Sequence, residues 1–124
     1  MTVTGKTPAR TVVIAGQGSL AAVVVAALRV GGAEPRVFAL EGFAPDGIAA
    51  DPDGGIWVAA ALGAAVVRYA EGGEVTGTVQ TTQNAFACAV GGPDGRTLYA
   101  MTAPGSEPVH VDGRSAGTIE AATL

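Results

Sequence analysis

The chain repeats itself, and the repeat limits the fold more than any other feature of the sequence. Ala21-Ala22-Val23-Val24 returns as Ala64-Ala65-Val66-Val67, 43 residues later, and at the same offset Val13-Ile14 stands opposite Ile56-Trp57. A third copy follows 42 residues on, where Leu98-Tyr99 answers Ile56-Trp57. The turns echo too: DPDGGIWVA (51–59) parallels GPDGRTLYA (92–100), and GKTPARTVVIA (5–15) is a decayed version. Each copy is a Pro-containing turn followed by a short hydrophobic strand. A period of this length with several strands per copy suits a β-propeller blade of four short antiparallel strands.

The expectation is therefore an all-β partial β-propeller. It forms one domain over 1–124, with three blades at about 1–42, 43–84 and 85–124. Strands are expected near 10–15, 20–28 and 35–40 in the first blade. In the second they fall near 47–51, 55–60, 64–70 and 74–80, and in the third near 86–91, 96–102 and 117–121. Segment 103–115, rich in turn formers, is expected to be a polar loop. Trp57 and Tyr99 should be equivalent packing residues of their blades.

One stretch supports a competing reading. Thr11–Ala15 is a β-branched run, and Gly16-Gln17-Gly18-Ser19-Leu20-Ala21 fits G-x-G-x-x-A. Such glycines bring backbone N–H groups against a pyrophosphate at the start of a helix, and Glu41 could hold a ribose. This would make an N-terminal βαβ, Rossmann-like unit that binds a nucleotide. Against it, Val23-Val24-Val25 favours strand, and the second copy keeps the flanking strands while losing the glycines. GQGS therefore reads as a turn between strands.

Composition removes several classes. The 124 residues are 48% hydrophobic and 15% charged, which fits a packed globular chain. The formal charge is −4 and no Lys/Arg cluster exists, so no nucleic-acid partner is expected. The longest apolar run, Leu20–Leu28, falls short of the roughly 20 residues that span a bilayer, so no membrane partner is expected. Cys88 is the only cysteine, so no internal disulfide can form; a reducing, cytoplasmic location fits.

The stretches APDGIAADPDGGIWVAAALGAAVVRYAEGGEV (44–75) and FACAVGGPDGRTLYAMTA (86–103) resemble the C-terminal part of the senescence marker protein / gluconolactonase / luciferin-regenerating enzyme family. The likeness is strong over 36–103 and weaker over 1–35. It implies a six-bladed propeller with a divalent metal, calcium or zinc, at its central channel. It also implies hydrolysis of sugar lactones and related cyclic esters. The Asp of the family's PDG motif is a metal ligand and base, and that position here is Asp46. The family's other ligands, a Glu and an Asn, have no counterpart, so the resemblance covers about three of six blades and one of three ligands. A truncated relative serving as a non-catalytic binding or assembly module is the alternative.

The remaining polar residues read as structural. Asp51, Asp53 and Asp94 sit in turns, His110 is a loop histidine, Cys88 is a buried small hydrophobe, and Asn84 belongs to an inter-blade loop. Ser19 and Ser106 have no visible base partner. Three blades leave two open apolar faces, at 56–58 and 98–100, so the chain is expected to self-associate into a homo-oligomer.

Overall fold

The computed structural model describes residues 11–15, 34–38, 44–70, 73–113 and 115–124. The chain divides into two compact units, Met1–Ala39 and Leu40–Leu124.

In the first unit β1 (Thr11–Ala15) pairs with β2 (Glu34–Phe38), in register from Thr11 opposite Glu34 to Ala15 opposite Phe38. Both strands fall where the sequence places them. Their pairing is parallel, which departs from the antiparallel neighbours of a blade. It is the pairing that the βαβ alternative requires, because parallel neighbours need a crossover of a dozen or more residues and residues 16–33 are long enough to supply one. The GQGS turn and the strand expected at 20–28 lie outside the described residues.

The second unit holds two antiparallel sheets of a partial propeller. The first is β3 (Pro45–Ala50), β4 (Ile56–Ala60), β5 (Ala65–Tyr69) and β6 (Val75–Gln80), paired in chain order. The second is β7 (Asn84–Gly91), β8 (Thr97–Ala103) and β9 (Thr118–Thr123), also in chain order. A one-turn helix, α1 (Pro108–Val111), interrupts the expected polar loop. Pro108 sits in its first turn, where a missing N–H does no harm.

The strand chemistry follows burial. In β8, TLYAMTA alternates, burying Leu98, Ala100 and Thr102 on one side. In β4, IWVAA is apolar throughout because both of its faces are covered: Trp57 and Ala59 on one side, Val58 and Ala60 on the other, are all buried. The core between the sheets joins Trp57, Ala59 and Val66 to Ala85, Cys88, Leu98 and Ala100. Trp57 thus faces the next sheet, while Tyr99 lies on the side of β8 turned away from the core. Both occupy the leading face of their sheets, as the repeat requires.

The hairpins close on aspartates. Asp51 Oδ1 accepts the backbone N–H groups of Asp53 (2.9 Å) and Gly55 (3.0 Å). Gly54 then takes φ +82°, a left-handed conformation that favours glycine. In the next repeat Asp94 Oδ1 accepts the N–H of Arg96 at 3.0 Å, and Gly95 takes φ +70°.

Candidate functional site

Asp46 stands on β3, the first strand of its sheet, and is exposed. The register of β3 on β4 shifts between Pro45 and Ile48. Such a bulge re-aims side chains and is common beside functional sites. The first strands of the two sheets meet directly behind Asp46. A Cβ on Gly47 would lie 2.7 Å from Ala87 Cα and 3.1 Å from the Phe86 carbonyl oxygen. The glycine is therefore what lets the strands approach and fixes the backbone beside the carboxylate. At the same end Ala61 N–H donates to the Ala44 carbonyl at 2.8 Å and Ala85 N–H to the Gly63 carbonyl at 3.4 Å.

The other candidates are not brought to Asp46 as a donor set. Among the described residues no three His, Cys, Asp or Glu side chains gather closely enough to hold a cation. Asn84, expected in an inter-blade loop, is instead the first residue of β7, opposite Ala103, and donates its Nδ2 to the Pro104 carbonyl at 3.3 Å. His110 lies on α1, exposed, with its ring over Gly105. Cys88 is buried, and its thiol faces the carbonyls of Trp57 (3.5 Å) and Gly47 (3.6 Å). Burial pushes that thiol up to about 11. It is protonated and unreactive at neutral pH, so in the native protein Ellman's reagent should find no fast thiol at pH 7.5. One equivalent should appear only on addition of denaturant; rapid labelling of the native chain would contradict this placement.

The strongest polar cluster lies at the other end of β3, about 16 Å of strand away from Asp46. Asp51, read from sequence as a turn residue, does more than close its turn. Its carboxylate also accepts from Trp57 Nε1 (3.0 Å), Arg68 Nε (2.5 Å) and Arg68 Nη2 (3.1 Å). The Arg68 hydrogen bond is the main reason its pKa falls to about 2, against the opposing effect of burial. A clue was available: Trp57 and Arg68 are cross-strand partners, and an indole N–H and a guanidinium buried together both need an acceptor. Nearby, Arg96 spans the two hairpins to Asp53 (3.0 and 3.2 Å). Both groups are largely exposed, so this pair contributes little to stability.

A cleft of about 300 Å³ opens at this same end, lined by Pro52, Trp57, Arg68, Thr78, Arg96 and Leu124 among others. Both guanidiniums in it already have carboxylate partners, so it offers no uncommitted charge to a ligand. The largest polar network and the predicted Asp46 position are thus separate features: the first holds the hairpins, the second is an exposed carboxylate on the first strand of its sheet. Sequence reasoning also missed Glu120, which accepts from Thr82 N (3.1 Å), Thr82 Oγ1 (2.8 Å) and Thr102 Oγ1 (3.0 Å). These bonds, Thr82 first, hold its carboxyl below the usual range and fasten β9 to the connection between the sheets.

Comparison with known proteins places this geometry among relatives. The family model described as SMP-30/Gluconolactonase/LRE-like region matches residues 9–104, which include Asp46. A solved structure of luciferin-regenerating enzyme has a similar fold, with a TM-score of 0.52 and 24% identity. The match covers 64% of this chain and 28% of that one, so the chain corresponds to well under half of the solved neighbour. No curated protein matches the sequence. Among the described residues no helix is long and apolar enough to cross a membrane.

Proposed function

The chain belongs to the SMP-30/gluconolactonase/LRE-like family, and from that premise we propose that it supplies Asp46 as one carboxylate of a site that hydrolyses a cyclic ester such as a sugar lactone. The observation that carries the reading is the position of Asp46 itself. It is an exposed carboxylate in the family-matched stretch, on the first strand of a four-stranded blade, beside a bulge and a glycine that leaves no room for a side chain. A carboxylate so placed can accept a proton from an attacking water and orient it, which is general-base chemistry.

The residues present do not by themselves fit the divalent metal that the family implies. Hard cations take six to eight oxygens, and among the described residues Asp46 belongs to no cluster of three or more acidic, histidine or cysteine side chains. A working metal site therefore needs oxygen ligands beyond Asp46. The same observation favours a second reading, in which the chain is a non-catalytic binding or assembly module of the family.

Calcium and zinc titrations separate the two. If Asp46 serves a composite site, saturating metal raises the unfolding midpoint. At a hundredfold excess over Kd the gain is about 2.7 kcal/mol, and Asp46→Ala abolishes it. Equal metal response in the parent and in Asp46→Ala removes Asp46 from the site. No response in either, together with no hydrolysis of gluconolactone, leaves the module reading.

A further inference from the structure

The two sheets of the second unit carry the same irregularity at the same step of the repeat. In the first, Pro45 pairs with Ala60 and Ile48 with Val58, so Asp46 and Gly47 fall opposite the single residue Ala59. In the second, Ala85 pairs with Thr102 and Cys88 with Ala100, so Phe86 and Ala87 fall opposite the single residue Met101. Val58 and Ala60 correspond to Ala100 and Thr102 at the 42-residue offset of the repeat. Phe86 is therefore the counterpart of Asp46, and Ala87 that of Gly47. The two bulges also touch: a Cβ on Gly47 would lie 2.7 Å from Ala87 Cα and 3.1 Å from the Phe86 carbonyl oxygen. Bulges re-aim side chains, and equivalent bulges aim them alike. The carboxylate and the phenyl ring thus stand side by side on adjoining first strands. The core does not use this ring. Phe86 is half-buried, and it belongs neither to the buried cluster nor to the apolar side chains packed on that cluster.

We propose that Phe86 is a specificity-determining residue of the Asp46 site, and that it selects a cyclic ester bearing an apolar ring or alkyl chain over a polyhydroxylated one. The inference rests on the reading of Asp46 as the base for such an ester. The oxygen of a water bonds to the ester carbonyl carbon, and Asp46 accepts the water's proton and passes it to the ring oxygen as the ring C–O bond breaks, leaving a hydroxy acid. Phe86 touches none of these atoms; it meets the substituent. A phenyl ring offers a large, rigid apolar surface, and small-molecule sites set a few polar groups among such walls. Its neighbours on β7, Ala85 and Ala87, have no side-chain hydrogen bond to give, and the Asn84 Nδ2 is engaged by the Pro104 carbonyl. Sugar hydroxyls placed against Phe86 would lose their water without replacement. An apolar substituent loses nothing there and takes the ring out of water.

Hydrolysis by the full chain of dihydrocoumarin, a cyclic ester fused to a benzene ring, and of gluconolactone, with calcium present, tests the proposal. The parent is expected to have the higher kcat/KM on dihydrocoumarin. Phe86→Ala should lower the ratio of the two kcat/KM values about tenfold, the scale of an apolar contact in a pocket. Phe86→Leu, which keeps an apolar side chain, should restore part of it, and Asp46→Asn should abolish both reactions. Unchanged Trp57 fluorescence checks the fold; if Phe86→Ala is unfolded, Phe86→Gln, of similar length, gives the decision. Hydrolysis that needs Asp46 but keeps the same ratio in Phe86→Ala overturns the role of Phe86 and leaves the base reading standing. If neither lactone is hydrolysed, or Asp46→Asn still hydrolyses both, the base reading falls and binding decides on Phe86. Hydrocarbostyril, the lactam that corresponds to dihydrocoumarin, should then bind the parent at least tenfold more tightly than Phe86→Ala in an NMR titration. Equal affinity for the two, or no binding to the parent, overturns the proposal.

Discussion

Asp51→Ala is expected to lower the stability of the second unit by about 3 kcal/mol, more than any other single carboxylate removal in the described residues. The side chain is only 5% exposed and serves four groups at once: the N–H groups of Asp53 and Gly55, the Trp57 indole and the Arg68 guanidinium. Its loss leaves a partly buried cation and an indole N–H without acceptors, and breaking such a pair costs far more than an exposed one. Urea titration followed by Trp57 fluorescence reads the effect directly, since this is the only tryptophan and it lies in the core. The pH dependence provides an independent check. The folded-state pKa, about 2, lies below the unfolded value near 3.8, so the stabilisation is complete above about pH 5 and is lost progressively as pH falls through the folded pKa. The difference corresponds to about 2 kcal/mol. Asp51→Asn should flatten that part of the acid limb; an unchanged acid limb would show that the Arg68 contact does not stabilise the fold.

Gly47→Ala is expected to cost about 2 kcal/mol, and Gly47→Val more. The added Cβ meets backbone, 2.7 Å from Ala87 Cα and 3.1 Å from the Phe86 carbonyl, and backbone cannot swing aside as a flexible side chain can. The inner strands β3 and β7 have to part, which disturbs the Cys88 contact behind them and moves Asp46, one residue away. Removing the neighbouring methyl does not help much, because the nearer clash is with Cα. The double variant Gly47→Ala/Ala87→Gly should therefore recover less than half of the lost stability. Full recovery would show that the approach of the two strands is set by side chains instead.

The sequence was most readable where one face is buried and period decides. From Ile48 to Thr123 the alternation of apolar and polar residues and the Asp-Gly turns locate the strands to within a few residues, because both are local chemistry. Equivalence of Trp57 and Tyr99 was legible from the repeat alone. Pairing direction was not: Thr11–Ala15 is mostly β-branched and Glu34–Phe38 ends in Val37-Phe38 in either arrangement, and nothing in a strand's composition distinguishes a parallel neighbour from an antiparallel one. Helix α1 is not legible in the sequence because four residues give no periodicity, though Pro108 marks its start. Asp46 was identified by its resemblance to a family motif, while the role of Asp51 could not be read from its turn. Two of its partners, Trp57 and Arg68, stand 6 and 17 residues away and reach it only once the hairpins have formed.

Among the described residues β9 is bonded along one edge only, to β8. Beyond the ladder it is held by the Leu124 N–H on the Arg96 carbonyl and by the Glu120 grip on Thr82. Opening this strand therefore requires far less than global unfolding, as for any element with few buried contacts. When it lifts, it removes Ala122, Leu124 and the Glu120 lid from Leu98 and Ala100 while the remaining sheets stay assembled. The amides of β9 should therefore exchange with solvent ahead of those of β4, a strand paired on both sides.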